Sequence, residues 1–169
     1  GINLSGASVN DDEFAQFIED RVTASRLPAA RLCFEITETS AVRDLAQAQR
    51  FIQRIRALGC KFALDDFGAG FCSFSYLRSL DVDIFKIDGS FVRDVHHSPL
   101  ALAIVRSIAE IARVMRKQTI AEYTESETIR SHLVALGVDF AQGFAIERPL
   151  PLEDLFTPPD PAHRLRQAS

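Results

Sequence analysis

The chain has 169 residues, a formal net charge of −4 and 47% hydrophobic residues. It can bury one sizeable core, and it lacks the cationic surplus that nucleic acid polymers or anionic membranes attract. No apolar run reaches the roughly 18 residues of a membrane span, and Cys33, Cys60 and Cys72 show no C-x-x-C spacing. We therefore expect a cytoplasmic domain that makes no membrane contact itself, even if another segment is tethered to a membrane receptor, and that has neither a disulfide framework nor a zinc site.

Extended and helical hydrophobic patterns alternate along the chain. In chain order they predict a strand at 2–5, a helix at 11–25, a strand at 31–39, a helix at 41–58, a strand at 61–66, a short helix at 74–80, a strand at 83–88, a helix at 99–115, a strand at 118–122, a helix at 125–136 and a strand at 139–144. This alternation is typical of a parallel sheet covered by helices. We assign residues 1–156 to one domain and 157–169 to a polar, proline-containing tail.

Polar side chains lie at or near the carboxyl end of every predicted strand. They are Asn3, Glu35, Asp65, Asp66, Lys86, Glu122 and Gln142. A TIM-like (β/α)8 barrel carries its chemistry at these ends, whereas a doubly wound sheet would carry a phosphate-binding glycine turn after its first strand, which this sequence lacks. Because a full barrel needs eight strands and about 250 residues, six strands predict a barrel truncated at its N-terminus.

Two adjacent acids, Asp65 and Asp66, follow a buried strand and precede Gly68 and Gly70. Neighbouring carboxylates repel each other, and removing them from water is costly without compensation. Successive side chains of a regular strand point to opposite faces. Both acids can therefore serve one site only where the strand gives way to the glycine turn, and there a cation could hold them together.

An oxygen-rich group of acids with a nearby amide suits hard divalent cations such as Mg²⁺ or Mn²⁺. No histidine falls at a strand end, which disfavours zinc or iron held by imidazole. Two adjacent aspartates are suited to a pair of metal ions, which can activate water and clamp a phosphoryl group. Lys86 could hold the water or offset phosphate charge, or it could be only a buried ion-pair partner. Asp88 could belong to the site or simply cap the next helix.

The chain also resembles a known family, the EAL-domain phosphodiesterases that hydrolyse cyclic di-GMP. The resemblance is carried by six motifs in order: N-L-S (3–5), E-I-T-E-T (35–39), D-D-F-G-A-G-F (65–71), F-K-I-D-G-S-F-V (85–92), A-E-Y-T-E (121–125) and Q-G-F (142–144). It implies a TIM-like barrel whose first strand runs antiparallel. It also implies two Mg²⁺ or Mn²⁺ ions and hydrolysis of cyclic di-GMP to linear pGpG by a metal-activated water.

The same resemblance implies a role for each matching residue. Asn3, Glu35, Asp65 and Asp66 would be metal ligands. Lys86 would position the attacking water, and Glu122 would be a further ligand or the general base. Gln142, Glu125 and Asp88 would lie near the substrate or support the site, and Glu38 would anchor the glycine loop after Asp66. That loop would couple the site to a homodimer. An upstream sensory or diguanylate-cyclase domain would accompany such a domain.

Two departures from the family pattern leave alternatives open. The E-A-L signature, whose Glu is a metal ligand, would lie upstream of residue 1, and Tyr123-Thr124 replaces the commoner Gly-Val after Glu122. A module that binds cyclic di-GMP without hydrolysing it is therefore the first alternative, and the absent ligand favours it for the chain as given. The second is a Schiff-base chemistry at Lys86, which the nearby acids oppose because they keep the amine protonated.

Overall fold

A computed structural model describes residues 1–70 and 74–151, with the side chains of Phe74 and Ser75 left out. Cys72, the end of the glycine loop and the predicted tail at 157–169 lie outside the described residues. None of the helices in the described ranges is long and apolar enough to cross a membrane.

Six parallel strands form one sheet in chain order, as predicted. They are β1 (Ile2–Leu4), β2 (Cys33–Thr37), β3 (Lys61–Phe67), β4 (Ile84–Ile87), β5 (Gln118–Ala121) and β6 (Phe140–Ala141). Each strand pairs with the next along the chain. The carboxyl ends of all six strands therefore meet at one edge of the sheet.

Helices connect successive strands. They are α1 (Gly6–Val9), α2 (Asp12–Ala24), α3 (Glu38–Arg43), α4 (Leu45–Arg56), α5 (Phe74–Leu77), α6 (Gly89–Asp94), α7 (Pro99–Val114) and α8 (Glu127–Ala135), with a 3₁₀ turn at Ala29–Arg31. Residues 41–58, predicted as one helix, form parts of α3 and α4, because Asp44 leaves the helical conformation and its carboxylate accepts the Gln47 N–H at 3.0 Å. Asp88 caps α6 in the same way, through Ser90.

The core lies between the sheet and these helices. Fully buried side chains from β2, β3 and β4, among them Ile36, Phe62, Leu64 and Phe85, pack against the apolar faces of the helices. In β3 and in β4 three successive residues are buried, which is typical of a parallel sheet covered by helices. Burying such side chains contributes about 1.5–3 kcal/mol each, so the core holds the strand ends in fixed relative positions.

The amino ends of the strands carry a separate set of polar contacts. Asp83, just before β4, accepts the Phe62 N–H at 2.8 Å and is paired with Arg56. Asp139, just before β6, accepts the backbone N–H and the hydroxyl of Thr119, both at 2.8 Å. Each of these carboxylates therefore has donors of its own and ties one strand to its neighbour.

Candidate active site

A buried lysine lies at the centre of the opposite edge of the sheet, where the carboxyl ends of the strands meet. The Lys86 ammonium on β4 is 2.6 Å from a Glu35 oxygen, 2.8 Å from an Asp65 oxygen and 2.7 Å from a Glu122 oxygen. These acids come from β2, β3 and the residue after β5. Four neighbouring strands thus contribute to one cluster, which brings together four of the residues predicted at the strand ends, Glu35, Asp65, Lys86 and Glu122.

Sheet register explains the convergence. Thr37 on β2 pairs with Asp65 on β3, so Glu35 and Asp65 are two positions apart along the sheet and point to the same face. Lys86 pairs with Ile120, two residues before Glu122, and the Glu122 N–H donates to the Ile87 carbonyl at 3.2 Å. The parallel ladder therefore sets the spacing of the cluster before any side chain makes a contact.

Asp66 joins the cluster through an irregular backbone. The register between β3 and β4 shifts between Leu64 and Phe67, and Asp66 has φ +53°. This left-handed conformation is uncommon outside glycine, although Asp and Asn adopt it more readily than most residues. It turns the side chain so that oxygens of Asp65, Asp66 and Glu122 lie within 4.8 Å of one another. The two adjacent acids thus serve one site where the strand becomes irregular.

The charges of the cluster are unbalanced. Burial lowers the pKa of Lys86, but the hydrogen bonds that its ammonium donates to Asp65, Glu122 and Glu35 outweigh that effect and raise the pKa above its ordinary value. Burial raises the pKa of Glu122 despite the opposing effect of Lys86, and burial, Asp65 and Asp88 together raise the pKa of Asp66. One ammonium does not neutralise this group of carboxylates, and a protonated Lys86 is unsuited to Schiff-base chemistry.

Two further predicted residues border the cluster. Asn3 on β1 pairs in register with Glu35, so it occupies the neighbouring position on the same face of the sheet. Asp88 caps α6, and its carboxylate also helps to raise the pKa of Asp66. The capping role of Asp88 is therefore confirmed, and its role in the site stays a prediction.

Glu38, the first residue of α3, contacts the glycine turn that follows Asp66. It is buried, with 1% of its surface exposed. Its carboxylate accepts the Gly68 N–H at 3.0 Å and the Tyr76 hydroxyl. A side chain on Gly70 would meet this carboxylate at 3.3 Å. Glu38 thus links α3 to the turn that follows Asp66.

A cavity of about 250 Å³ opens beside Glu122. Its lining consists of Glu122, Tyr123, Glu125, Gln142, Gly143, Phe144, Glu147 and Pro149. The two segments that form it are fastened together, since the Thr124 N–H donates to the Gln142 carbonyl at 3.0 Å and the Ala145 N–H to the Thr124 carbonyl at 2.9 Å. A side chain on Gly143 would come within 2.4 Å of the Thr124 nitrogen. Glu125 and Gln142 are therefore placed next to the cluster but outside it.

Two residues escaped the sequence analysis. Tyr76 donates to Glu38 across 38 positions of sequence, and no local pattern signals such a contact. Phe144 lines the cavity and is largely exposed. Its position in the strand predicted at 139–144 did not indicate either property. Tyr123 departs from the family pattern, and a bulky residue where glycine is common is itself a signal of function or strain.

The cluster has the chemistry of a site for hard cations. Its ligand atoms are carboxylate oxygens from Asp65, Asp66 and Glu122, close enough to contact one ion, and Mg²⁺ and Mn²⁺ prefer such oxygens. Excess negative charge would make cation binding favourable. The residues present therefore fit a divalent metal.

Comparisons with known proteins agree with this geometry. The profile of the EAL domain family matches residues 1–149. The chain is 43% identical over 151 residues to the cyclic di-GMP phosphodiesterase PdeB of Shewanella oneidensis, covering 89% of this chain and 18% of that protein. It is 39% identical over 160 residues to the cyclic di-GMP phosphodiesterase PdeF of Escherichia coli, covering 95% of this chain and 21% of that protein. The chain thus spans about a fifth of each of these relatives.

Solved structures give the same result. The PaMucR phosphodiesterase in complex with c-di-GMP superposes with a TM-score of 0.86 at 30% identity, over 91% of this chain and 62% of that one. The FimX EAL domain from Pseudomonas aeruginosa bound to c-di-GMP has a TM-score of 0.82 at 31% identity, over 87% and 60% of the two chains. The sheet, the acidic cluster and these matches together show that the chain belongs to the EAL domain family.

Proposed function

We propose that the protein hydrolyses cyclic di-GMP to linear pGpG in a metal-dependent reaction. The observation that carries the proposal is the cluster of Glu35, Asp65 and Glu122 around Lys86, with Asp66 beside it. Relatives at 43% and 39% identity are named cyclic di-GMP phosphodiesterases, and two structural neighbours hold c-di-GMP. These likenesses support the substrate, and the cluster supports the chemistry.

The residues that would hold two Mg²⁺ or Mn²⁺ ions are Asn3, Glu35, Asp65 and Asp66, with Glu122 as a further ligand or the general base. When bound, such ions supply Lewis acidity, which lowers the pKa of water and offsets charge on the phosphoryl oxygens. Every proposed side-chain ligand offers oxygen, as these ions require.

Lys86 and Glu122 would handle the reacting groups. The protonated Lys86 donates hydrogen bonds, so in that form it can orient the attacking water or a phosphoryl oxygen but cannot accept a proton. Glu122, whose pKa is raised by burial, is suited to take the proton from water. A bond forms between the water oxygen and phosphorus, one phosphoester bond breaks, and the departing ribose oxygen takes up a proton.

The alternative function is binding of cyclic di-GMP without hydrolysis. The observation that favours it is Tyr123-Thr124, a departure from the commoner Gly-Val directly after Glu122.

We also propose that the native protein forms a homodimer through the loop after Asp66. In that dimer, Glu38 would hold the loop to α3 through its contact with the Gly68 N–H.

The test is chromatography of cyclic di-GMP incubated with the native protein that contains this sequence, in Mg²⁺ and in EDTA. We expect pGpG in Mg²⁺ only, with loss of the product in Asp65→Asn and its retention in Asp83→Asn, a matched carboxylate at the opposite edge. Binding without pGpG would replace hydrolysis by the binding function. Neither binding nor product would overturn both.

A further inference from the structure

Tyr123 adopts a backbone conformation that bulky residues avoid. Its φ is +50°, and among the described residues only Asp66 and Arg116 share a positive φ without being glycine. The left-handed region is unfavourable for an ordinary L-residue because its Cβ crowds the following carbonyl oxygen. Such strain persists where surrounding structure enforces it, and it clusters at functional sites. Asp66, the other strained residue at this edge, belongs to the acidic cluster, so Tyr123 also calls for a functional explanation.

Two residues of α6 hold the Tyr123 ring in place. A side chain on Gly89 would come within 2.1 Å of a ring carbon, so the ring packs directly on that glycine. One turn later, the Arg93 guanidinium lies 4.6 Å from the ring centroid, in cation–π geometry. The ring is therefore fixed by α6, although 52% of the residue surface remains exposed.

The exposed part of the residue borders the cavity beside the cluster. Tyr123 and Phe144 both line that cavity, together with Glu125 and Gln142. Phe144 is 56% exposed and carries Arg148 with its guanidinium 4.9 Å from the ring centroid. Two arginine-backed aromatic residues thus border one cavity that also offers carboxylate and amide groups. Aromatic surface combined with a few hydrogen-bonding groups is the chemistry that recognises a nucleobase.

We propose that Tyr123 stacks on a purine base of the substrate and thereby contributes to its affinity. This inference rests on the proposed function, since it places the base beside the cluster that would act on the phosphodiester. Base stacking on an aromatic side chain is a substantial and sequence-tolerant source of binding energy. A ring anchored by Gly89 and Arg93 loses little freedom on binding, which increases its contribution. Tyr123 thus acts on substrate affinity, while Lys86 and Glu122 act on the chemical step.

The test compares Tyr123→Gly, Tyr123→Leu and Tyr123→Phe in the native protein. We expect Tyr123→Gly and Tyr123→Leu to raise both the calorimetric Kd for cyclic di-GMP in EDTA and the KM in Mg²⁺ by about 10-fold or more, with kcat within about threefold. Tyr123→Phe keeps the ring and should restore both constants to within about twofold. Arg116→Gly is the matched control, because it removes a positive-φ side chain at φ +57° outside this cavity.

The outcomes separate the two proposals. Cyclic di-GMP binding by Tyr123→Gly with an unchanged Kd and KM would overturn the stacking role and leave the proposed function standing. A fall in kcat at constant Kd would also overturn it, since it would assign Tyr123 to positioning of Glu122. Absence of binding and turnover in the unaltered protein would overturn the proposed function, and the role of Tyr123 with it.

Discussion

The two edges of the sheet carry carboxylates in opposite circumstances. At the amino edge, Asp83 and Asp139 each accept a backbone N–H from the neighbouring strand, and Arg56 or Thr119 provides a second donor. At the carboxyl edge, Glu35, Asp65 and Glu122 converge on the single ammonium of Lys86, and Asp66 has another acid, Asp88, as its neighbour. The first arrangement satisfies each charge locally, whereas the second leaves negative charge in excess.

This difference indicates that one edge stabilises the fold and the other is prepared for a ligand. Carboxylates with their own donors hold adjacent strands together. Crowded carboxylates work against folding, and they persist where function requires them. Barrel enzymes show the same division, with chemistry at the carboxyl ends of the strands. Substitutions at the two edges should therefore affect different measurements.

The largest expected effect is at the centre of the carboxyl edge. Lys86→Ala removes the ammonium that contacts Glu35, Asp65 and Glu122. Loss of a group that positions the reacting water should lower kcat by about 10²- to 10⁴-fold, measured as pGpG formation in Mg²⁺. If the variant keeps more than a tenth of the normal kcat, Lys86 has no role in the chemical step.

At the amino edge, Asp83→Asn should reduce stability instead. The substitution removes the charge that pairs with Arg56 and weakens the hydrogen bond to the Phe62 N–H. We expect the free energy of unfolding in urea to fall by about 1–3 kcal/mol, with kcat per folded molecule unchanged. Normal stability combined with a loss of kcat would show that Asp83 serves the reaction and does not stabilise the fold, which would contradict the contrast between the two edges.

Asp66→Asn should stabilise the metal-free protein. Burial, Asp65 and Asp88 raise the pKa of Asp66, so its charged form is unfavourable in the folded state, and Asn tolerates the left-handed backbone. We expect a gain of about 0.5–2 kcal/mol in the free energy of unfolding in EDTA, together with loss of hydrolysis. A clear loss of metal-free stability would show that the carboxylate supports the fold.

The smallest expected effect is the pH dependence of stability at Glu122. The pKa of Glu122 is raised in the folded protein. Its stabilising contribution to the free energy of unfolding is therefore fully present below its ordinary pKa, near 4.5, and is lost as the pH rises through its pKa in the folded protein. In EDTA, the stability of Glu122→Gln relative to the unaltered protein should therefore increase with pH above that value. One titrating group limits the slope to about 1.4 kcal/mol per pH unit. A flat or falling difference would contradict the raised pKa.

The hydrophobic patterns of the sequence were sufficient to predict those parts of the fold that depend on periodicity. The six strands and the positions of Glu35, Asp65, Lys86 and Glu122 at their carboxyl ends follow from alternating hydrophobic patterns, because parallel register brings strand ends together. The break at Asp44 was missed because a short polar side chain there can either continue a helix or cap the next one. Contacts distant in sequence, such as that of Tyr76 with Glu38, depend on packing and leave no local pattern.

The backbone irregularity at Asp66 was predicted only in part. Adjacent acids before a glycine turn indicated that the strand must become irregular if both served one site. The register shift and the φ of +53° are the structural form of that irregularity. The positive φ of Tyr123 had no such cue, because the next residue, Thr124, is bonded to Gln142 and Ala145, which are distant in sequence.

The most direct test of the account is calorimetric titration of Mn²⁺ alone into the metal-free native protein. We predict that the unaltered protein and Asp83→Asn bind Mn²⁺ alike, and that Asp65→Asn and Asp66→Asn each weaken binding by about 10-fold or more because each removes a charged ligand oxygen. Binding of equal strength in Asp65→Asn, Asp66→Asn and the unaltered protein would contradict the claim that the carboxyl edge is a metal site.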